Sequence, residues 1–314
     1  MKKVLLSGIQ PTGDMHIGNY FGAIKQFVDL QNSYESYVFI ADLHALTTVQ
    51  DAETLRKYIF NVTATYLACG LDPKKVTIFQ QSDIGGELSE LTWIFNCITT
   101  VAYLERAVAF KDATAKAKEP TVGLFDYPML MAADILMPDA DVVPVGADQK
   151  QHVEFARDTA EKFNRIWGET FKLPQPLILE SAGVVPGIDG RKMSKSYGNT
   201  IPLFASDEEI TKAVMSIVTD SSGMRPENVY AIHKLFKPEE EIQKLYEENQ
   251  GKYKALKDAL IADIIAFITP MRERYQELQK DPSIVSKVLK EGGIVVKARA
   301  EAKMQAVKKA VGII

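Results

Sequence analysis

Cysteine is scarce in this chain: Cys69 and Cys97 are the 2 in 314 residues, and they form no CxxC or Cys/His ligand spacing. That argues against a disulfide framework and against a thiolate-built metal site. Both read as reduced small hydrophobes, as expected in a cytoplasmic protein. Long apolar runs are missing too. No window approaches the roughly 20 apolar residues that a membrane-spanning helix needs. The opening MKKVLLSGIQPTG holds only Val4 to Leu6 as an apolar run, so it reads as a first strand rather than a signal peptide. There is no internal repeat and no low-complexity tract, and neither Walker A nor GxGxxG spacing occurs. An excess of positive charge is also absent: the net charge is −4, so the molecule as a whole is not a polycation seeking nucleic acid.

What is present is an ordinary globular balance, 46% hydrophobic and 25% charged, in a chain long enough for one large domain or two smaller ones. The first two thirds alternate strand and helix patterns. KKVLLSGI, SYVFIADL, VTIFQQSD and DVVPVGAD read as strands, and amphipathic segments such as AETLRKYIFNVTATYLACGL lie between them. This alternation predicts an α/β fold with a doubly wound, mostly parallel sheet. After residue 205 the strand pattern stops. SDEEITKAVMSIV opens with a Ser206 cap, and GKYKALKDALIADIIAFITPMRERYQELQ carries a helical apolar stripe with Pro270 expected to kink it. The boundaries are therefore 1–205 for the α/β domain and 206–314 for a C-terminal α-helical domain. From Lys280 to Ile314 there are eight Lys/Arg against three acids, so a +5 tail faces a remainder of −9. Such a tail is either a solvated face or a contact for a polyanion.

The strand exits are polar: SGIQPTG, ADLHA, QQSD and VGADQKQH carry Asp42, His44, Gln80, Gln81, Asp148 and Gln149. In an open α/β sheet these exits outline one ligand crevice. A second polar stretch, GIDGRKMSKSYGN at 187–199, sets Arg191, Lys192 and Lys195 among glycines and serines with no apolar periodicity. It reads as a surface loop. After the first strand, Gly8, Gly13 and Gly18 permit close approach of a ligand, and His16 stands where the next helix begins.

PTGDMHIGN and GRKMSKSYGN together resemble the paired HIGH and KMSKS motifs of class I aminoacyl-tRNA synthetases. KMSKS is complete at Lys192 to Ser196, while the first motif ends in Asn19, as in the tryptophanyl and tyrosyl branch. SGIQPTG, DLHALT, FDYPMLMAADILM and VVPVGADQKQHVEFARD are similar to the tryptophanyl-tRNA synthetase family, so the resemblance spans nearly the whole chain. It implies a Rossmann-like, HUP-type catalytic domain, with about 95–170 as an inserted helical part that dimerises. It also implies that the helical domain binds the tRNA anticodon.

The same resemblance implies the chemistry: L-tryptophan and ATP give the adenylate and pyrophosphate, and the amino acid then passes to tRNA(Trp). Class I enzymes stabilise charge moving onto the leaving group rather than forming a covalent intermediate. Lys192, Ser194 and Lys195 would hold the pyrophosphate, with Met193 and Ser196 in the same ATP-binding loop. His16 would face the phosphates. Gln10, Pro11, Thr12, Gly18 and Asn19 would line the ATP, Gly146, Ala147 and Asp148 would meet the ribose, and Val184 would lie by the adenine. No metal ligand set is expected, so Mg²⁺ would arrive with ATP, keeping several waters. A homodimer with no membrane association is implied. The family's mobile lysine aligns with Ala113 here, with Lys111 and Lys116 nearby.

Tyr127, Met131 and Asp134 fall at i, i+4 and i+7, one face of a helix. An unpartnered carboxylate on an apolar face is costly, which argues for a ligand there. Asp134 would accept the indole N–H and Met131 would pack on the ring, where tyrosyl enzymes generally show Gln. His44, Tyr127 and Gln149 would border the ligand, with Leu6, Gly8, Val143 and Val145 completing the tryptophan site. A tyrosyl-type enzyme, a small nucleotidyltransferase with an HxGH motif and a non-catalytic tRNA-binding paralogue are the alternatives.

Overall fold

The computed structural model describes residues 2–107, 110–111, 119–146, 150–178, 184–219 and 225–314. Five parallel strands form one sheet in the order β3-β2-β1-β4-β5: β1 Val4–Ile9, β2 Glu35–Ile40, β3 Val76–Gln80, β4 Val142–Pro144 and β5 Gln175–Leu177. Register pairs Leu6 with Tyr37, Ile40 with Gln80, and Leu5 with Val142. β1 is central because it runs between both halves of the sheet. The strand order reverses at β1/β4, and this switch point opens the crevice beyond their carboxyl ends.

Both faces of the sheet are covered, as parallel strands require. Val38, Ile40 and Ile78 point into one core with Ile17, Phe27 and Tyr66, and this core continues into Ile201, Leu203, Ile210, Leu260 and Ile264 of the helical part. Tyr37, Phe39 and Phe79 point the other way, against Leu88, Phe95, Met129, Phe155 and Phe163. The alternation is the two-residue side-chain period of a strand with both sides dry.

The helical segment after β1 is irregular. Ile17–Asn19 is α-helical, Tyr20–Ile24 is a π-helical stretch, and Lys25–Leu30 is α-helical again. Residues 85–104 form two helices, Gly85–Ile98 and Val101–Leu104, with Thr99 and Thr100 extended between them. In the C-terminal part Ser206 caps the helix Asp207–Met215: the Glu209 N–H donates to Ser206 Oγ at 3.3 Å, and the Ser206 N–H donates to Glu209 Oε2 at 2.8 Å. Pro270 lies inside the helix Tyr253–Lys280, which continues through it.

The last helix, Pro282–Val311, returns to the sheet and packs along β3. It does so through Gly292 and Gly293. A Cβ on Gly292 would run into the Ile78 carbonyl, and one on Gly293 would sit 2.8 Å from Asp83 Oδ2. Backbone lies directly on backbone there, and only glycine allows that approach. Four basic residues of this helix reach acids elsewhere in the fold. Lys297 pairs with Glu87 at 2.6 Å, Arg299 with Glu35 at 2.7 Å, Lys303 with Asp139 at 2.6 Å and Lys308 with Glu90 at 2.8 Å.

Candidate active site

A cavity of about 1050 Å³ opens at the carboxyl ends of β1 and β4. β1 contributes Leu6, Gly8 and, just past its end, Gln10. β4 and its exit contribute Val143, Val145 and Gly146. The turn after β2 contributes His44, and the helix Val122–Leu136 contributes Tyr127, Met131 and Asp134. Gly18, Asn19, Val184, Lys192 and Met193 close the opposite side. Thus the structure gathers fifteen of the sequence-selected residues around one space. Ala147, Asp148 and Gln149 lie outside the described residues, as do Ala113 and Lys116; Lys111 is exposed.

At the floor, Asp134 is 6% exposed and heavily coordinated. His44 Nε2 lies 2.9 Å from its Oδ2, and Gln81 Nε2 lies 2.9 Å from both of its oxygens. Burial raises the Asp134 carboxyl above its ordinary range, and the hydrogen bonds from His44 and Gln81 work against that shift. Gln81 is itself held, because its Oε1 accepts the Leu43 and His44 backbone N–H groups at 3.0 and 3.2 Å. Asp42 anchors the same turn, accepting from Gln80 Nε2, the Ser82 N–H and Ser82 Oγ. The Tyr127 ring stands edge-on between the rings of His44 and His152, with centroids at 6.2 and 5.7 Å. The result is an apolar slot with one carboxyl group at its end, suited to a flat ring that carries a donor.

At the other end, two loops meet. His16 precedes the helix Ile17–Asn19, and Asn19 Oδ1 accepts its backbone N–H at 3.0 Å. The His16 ring is buried, and Nδ1 finds no protein partner. Burial, followed by the nearby Lys195 charge, lowers its pKa to about 4, so the ring is neutral at neutral pH. It lies over Gly18, where a Cβ would be 2.8 Å from Nδ1 and 3.3 Å from Met193 Cβ. Gly18 is glycine for that reason: the ring and the KMSKS loop both occupy the space of a side chain.

The loop 187–199 is organised by Asn199, which is 1% exposed. Its Oδ1 accepts the Ser194 N–H at 2.7 Å, and its Nδ2 donates to Asp189 Oδ1 at 2.7 Å and to the Lys192 carbonyl at 3.1 Å. Met193 is buried, its N–H donating to the Val185 carbonyl at 2.8 Å, so one apolar residue pins the polar loop to the core. Lys195–Tyr197 forms a single 3₁₀ turn that ends at Gly198 in the left-handed region, φ 64°. Lys195 Nζ donates to the Thr12 carbonyl at 3.3 Å. Pro11, Thr12, His16, Ser194, Lys195 and Ser196 are accordingly outside the cavity lining. At Thr12 and Lys195 the two motifs touch each other, while Gly18, Asn19, Lys192 and Met193 of the same motifs line the cavity.

Gln81 and Asn199 were not among the site residues selected from sequence. In the sequence Gln81 stands only as one of several polar residues at strand exits, and Asn199 closes the loop motif without changing its charge. Nothing in spacing alone marks either as an organiser.

With this geometry in place, similarity to known proteins identifies the family. A family model described as tRNA synthetases class I (W and Y) matches residues 2–269. The tryptophan–tRNA ligase of Fusobacterium nucleatum is 48% identical, over 98% of this chain and 98% of its own. That of Campylobacter jejuni is 44% identical, over 98% of this chain and 99% of its own. The crystal structure of Campylobacter jejuni tryptophanyl-tRNA synthetase complexed with ADP and tryptophan matches with a TM-score of 0.91 at 43% identity, covering 98% of this chain and 99% of that one. A tyrosyl-tRNA synthetase from Archaeoglobus fulgidus, at a TM-score of 0.70 and 22% identity, shares the fold. By sequence, fold and motifs, the chain belongs to the class I tRNA synthetases of the tryptophanyl and tyrosyl branch, and within it to the tryptophan–tRNA ligases.

Proposed function

We propose the following division of labour for the ligation of tryptophan to tRNA(Trp) by this chain. The indole enters the slot formed by Leu6, Gly8, Tyr127, Met131, Val143 and Val145, and its N–H donates to Asp134. Gln149 and His44 border the ligand. ATP lies along Gln10–Thr12, Gly18, Asn19 and Gly146–Asp148, with Val184 by the base. The tryptophan carboxylate attacks the α-phosphate, the bond to pyrophosphate breaks, and the leaving group carries the developing charge. His16, neutral before ATP arrives, donates a ring N–H to the phosphates. Lys192, Lys195 and Ser194 hold the leaving pyrophosphate, and Lys195 exchanges the Thr12 carbonyl for it. The activated amino acid then passes to the tRNA.

The observation that carries this reading is the Asp134 carboxylate, buried at the end of an apolar slot that leads to the paired motifs. Mg²⁺ comes as part of the ATP complex, held by phosphates and water. Among the described residues no three His, Cys, Asp or Glu side chains converge as a metal cage. Residues 1–205 act as the activating domain, with about 95–170 as the dimerising insertion, and 206–314 bind the tRNA anticodon. Trp93, Val101 and Val122, at 69%, 64% and 81% exposure, supply apolar surface for a homodimer. The free thiols of Cys69 and Cys97 suit the cytoplasm. Tryptophan-dependent ATP–pyrophosphate exchange, followed by charging of tRNA(Trp), tests the assignment. Exchange stimulated more by tyrosine than by tryptophan would overturn it.

A further inference from the structure

We propose that Gln81 is a positioning residue for amino-acid selection, whose side-chain amide fixes the Asp134 carboxylate as an acceptor and so selects a ring that donates a hydrogen bond. The inference rests on the reading of Asp134 as the indole acceptor. Gln81 is fully buried at the start of the turn after β3 and is absent from the cavity lining, so it touches no substrate. It works through what it holds.

The orientation of its amide is dictated by its neighbours. Two backbone donors, the N–H groups of Leu43 and His44, meet one end at 3.0 and 3.2 Å, so that end must be the oxygen. The other end is then the NH₂, 2.9 Å from both Asp134 oxygens. A flipped amide would set donor against donor and acceptor against acceptor. The same side chain therefore fixes the His44 backbone and the carboxylate that the His44 ring contacts, and the triangle has no slack.

Asp134 consequently receives hydrogen bonds from His44 and Gln81, and as part of the cavity lining it has remaining acceptor capacity for a ligand in the slot. An ionised carboxylate can only accept. Burial favours protonation of Asp134, and the amide of Gln81 opposes it. Without that amide, Asp134 would bind a proton more readily, become a donor itself, and cease to reject a ring that lacks an N–H. The nearby Asp42 carboxylate adds to the pressure toward protonation.

The test compares the full-length parent with Gln81→Met and Gln81→Glu in ATP–pyrophosphate exchange. The substrates are tryptophan and β-(benzothiophen-3-yl)alanine, which has the same ring outline with sulfur in place of the N–H. Gln81→Met should raise KM for tryptophan at least about 10-fold and cut the preference over the sulfur analogue about fivefold, while KM for ATP stays within about twofold. Gln81→Glu keeps an acceptor for Leu43 and His44 but sets carboxylate against carboxylate, so it should move tryptophan KM further in the same direction. It also carries the test if the Met variant fails to fold. An unchanged tryptophan preference in either folded variant overturns the proposal, and so does a parallel loss for tryptophan, analogue and ATP, which marks a merely structural residue. A parent indifferent to the N–H would instead overturn the Asp134 reading, and the role of Gln81 with it.

Discussion

Lys195 Nζ donates to the carbonyl of Thr12 at 3.3 Å, joining two motifs separated by 183 residues. Its ammonium also lies 3.2 Å from where a Cβ of Gly13 would stand, and Gly13 adopts φ 116°, so a side chain there would be both strained and crowded. Burial lowers the Lys195 pKa and the Asp14 carboxylate acts against that. A cation held by one neutral carbonyl is ready to move to an anion that develops nearby. Lys195→Ala should slow adenylate formation by at least about 100-fold with tryptophan Kd nearly unchanged, because the contact strengthens as charge reaches the leaving group. Single-turnover kinetics and equilibrium tryptophan binding check this. A weakened tryptophan Kd with the chemical rate intact would remove Lys195 from that role.

His16 supplies a pH dependence of known sign. Its ring has a pKa of about 4 in the folded chain against 6.5 in the unfolded one, so between these values the unfolded state binds more protons. Folding stability therefore falls as pH drops from about 6.5 to 4, by roughly 2–3 kcal/mol from this residue alone. His16→Gln should flatten that part of the stability–pH curve, measured by urea denaturation at several pH values. If the parent and His16→Gln curves ran parallel through the window, the ring would be titrating as freely folded as unfolded. ATP should have the opposite effect on the parent: phosphates beside the ring favour its charged form, so binding near pH 5.5 should take up protons.

Much of this was legible in the sequence, and the reasons differ by element. β1 to β3 were readable because Val4–Ile9, Glu35–Ile40 and Val76–Gln80 are apolar runs bounded by polar turns. β5 was missed, since Gln175–Leu177 is three residues long with a proline at its centre. The helical stripe of Tyr127, Met131 and Asp134 was legible because an acid on an apolar face demands an explanation. The partners of that acid were not legible. His44 and Gln81 lie 90 and 53 residues away, and no local spacing says which of several polar strand exits turns inward. The π-helical stretch at Tyr20–Ile24 was hidden for a similar reason: its apolar residues fit an ordinary helix equally well.

The cationic tail shows a limit of charge pattern, which does not say which of its cations find an acid in the fold. A +5 segment suggested a polyanion contact or a solvated face, yet Lys297, Arg299, Lys303 and Lys308 each meet an acid of the sheet domain. Lys303 is the most enclosed: its side chain is 11% exposed, and Nζ also donates to the Thr170 carbonyl at 3.0 Å. Lys303→Ala should lower stability by about 1–3 kcal/mol by leaving Asp139 unpaired. KM for tRNA should keep the salt dependence of the parent, because a paired lysine releases no phosphate counterions. Thermal denaturation and aminoacylation across a salt series measure both. An unchanged melting temperature with a shallower salt slope would return this residue to the nucleic-acid surface.

Asp134 offers the sharpest test of substrate choice, and its surroundings decide the order of its variants. Asp134→Ala removes the acceptor for the indole N–H and leaves His44 Nε2 and Gln81 Nε2 without a partner. An unpartnered buried donor costs about 1–3 kcal/mol, so tryptophan KM should rise roughly 10- to 100-fold. Discrimination against phenylalanine should shrink, since a site built around a hydrogen bond suffers most when the substrate cannot make it. Asp134→Asn keeps one oxygen, but its NH₂ must go somewhere. Placed toward His44, it can donate to Nε2 once that ring shifts its proton to Nδ1, leaving the amide oxygen for the substrate. The NH₂ of Gln81 still faces the new NH₂, because it contacts both positions at 2.9 Å. Asp134→Asn should therefore fall between the parent and Asp134→Ala. Met131 gives the slot its shape and no hydrogen bond, so Met131→Leu should cost less than either. Tryptophan-, tyrosine- and phenylalanine-dependent pyrophosphate exchange on the four proteins, with ATP KM as the internal control, reads the whole series. Tryptophan activation untouched in Asp134→Ala would mean that the ring binds elsewhere in the cavity.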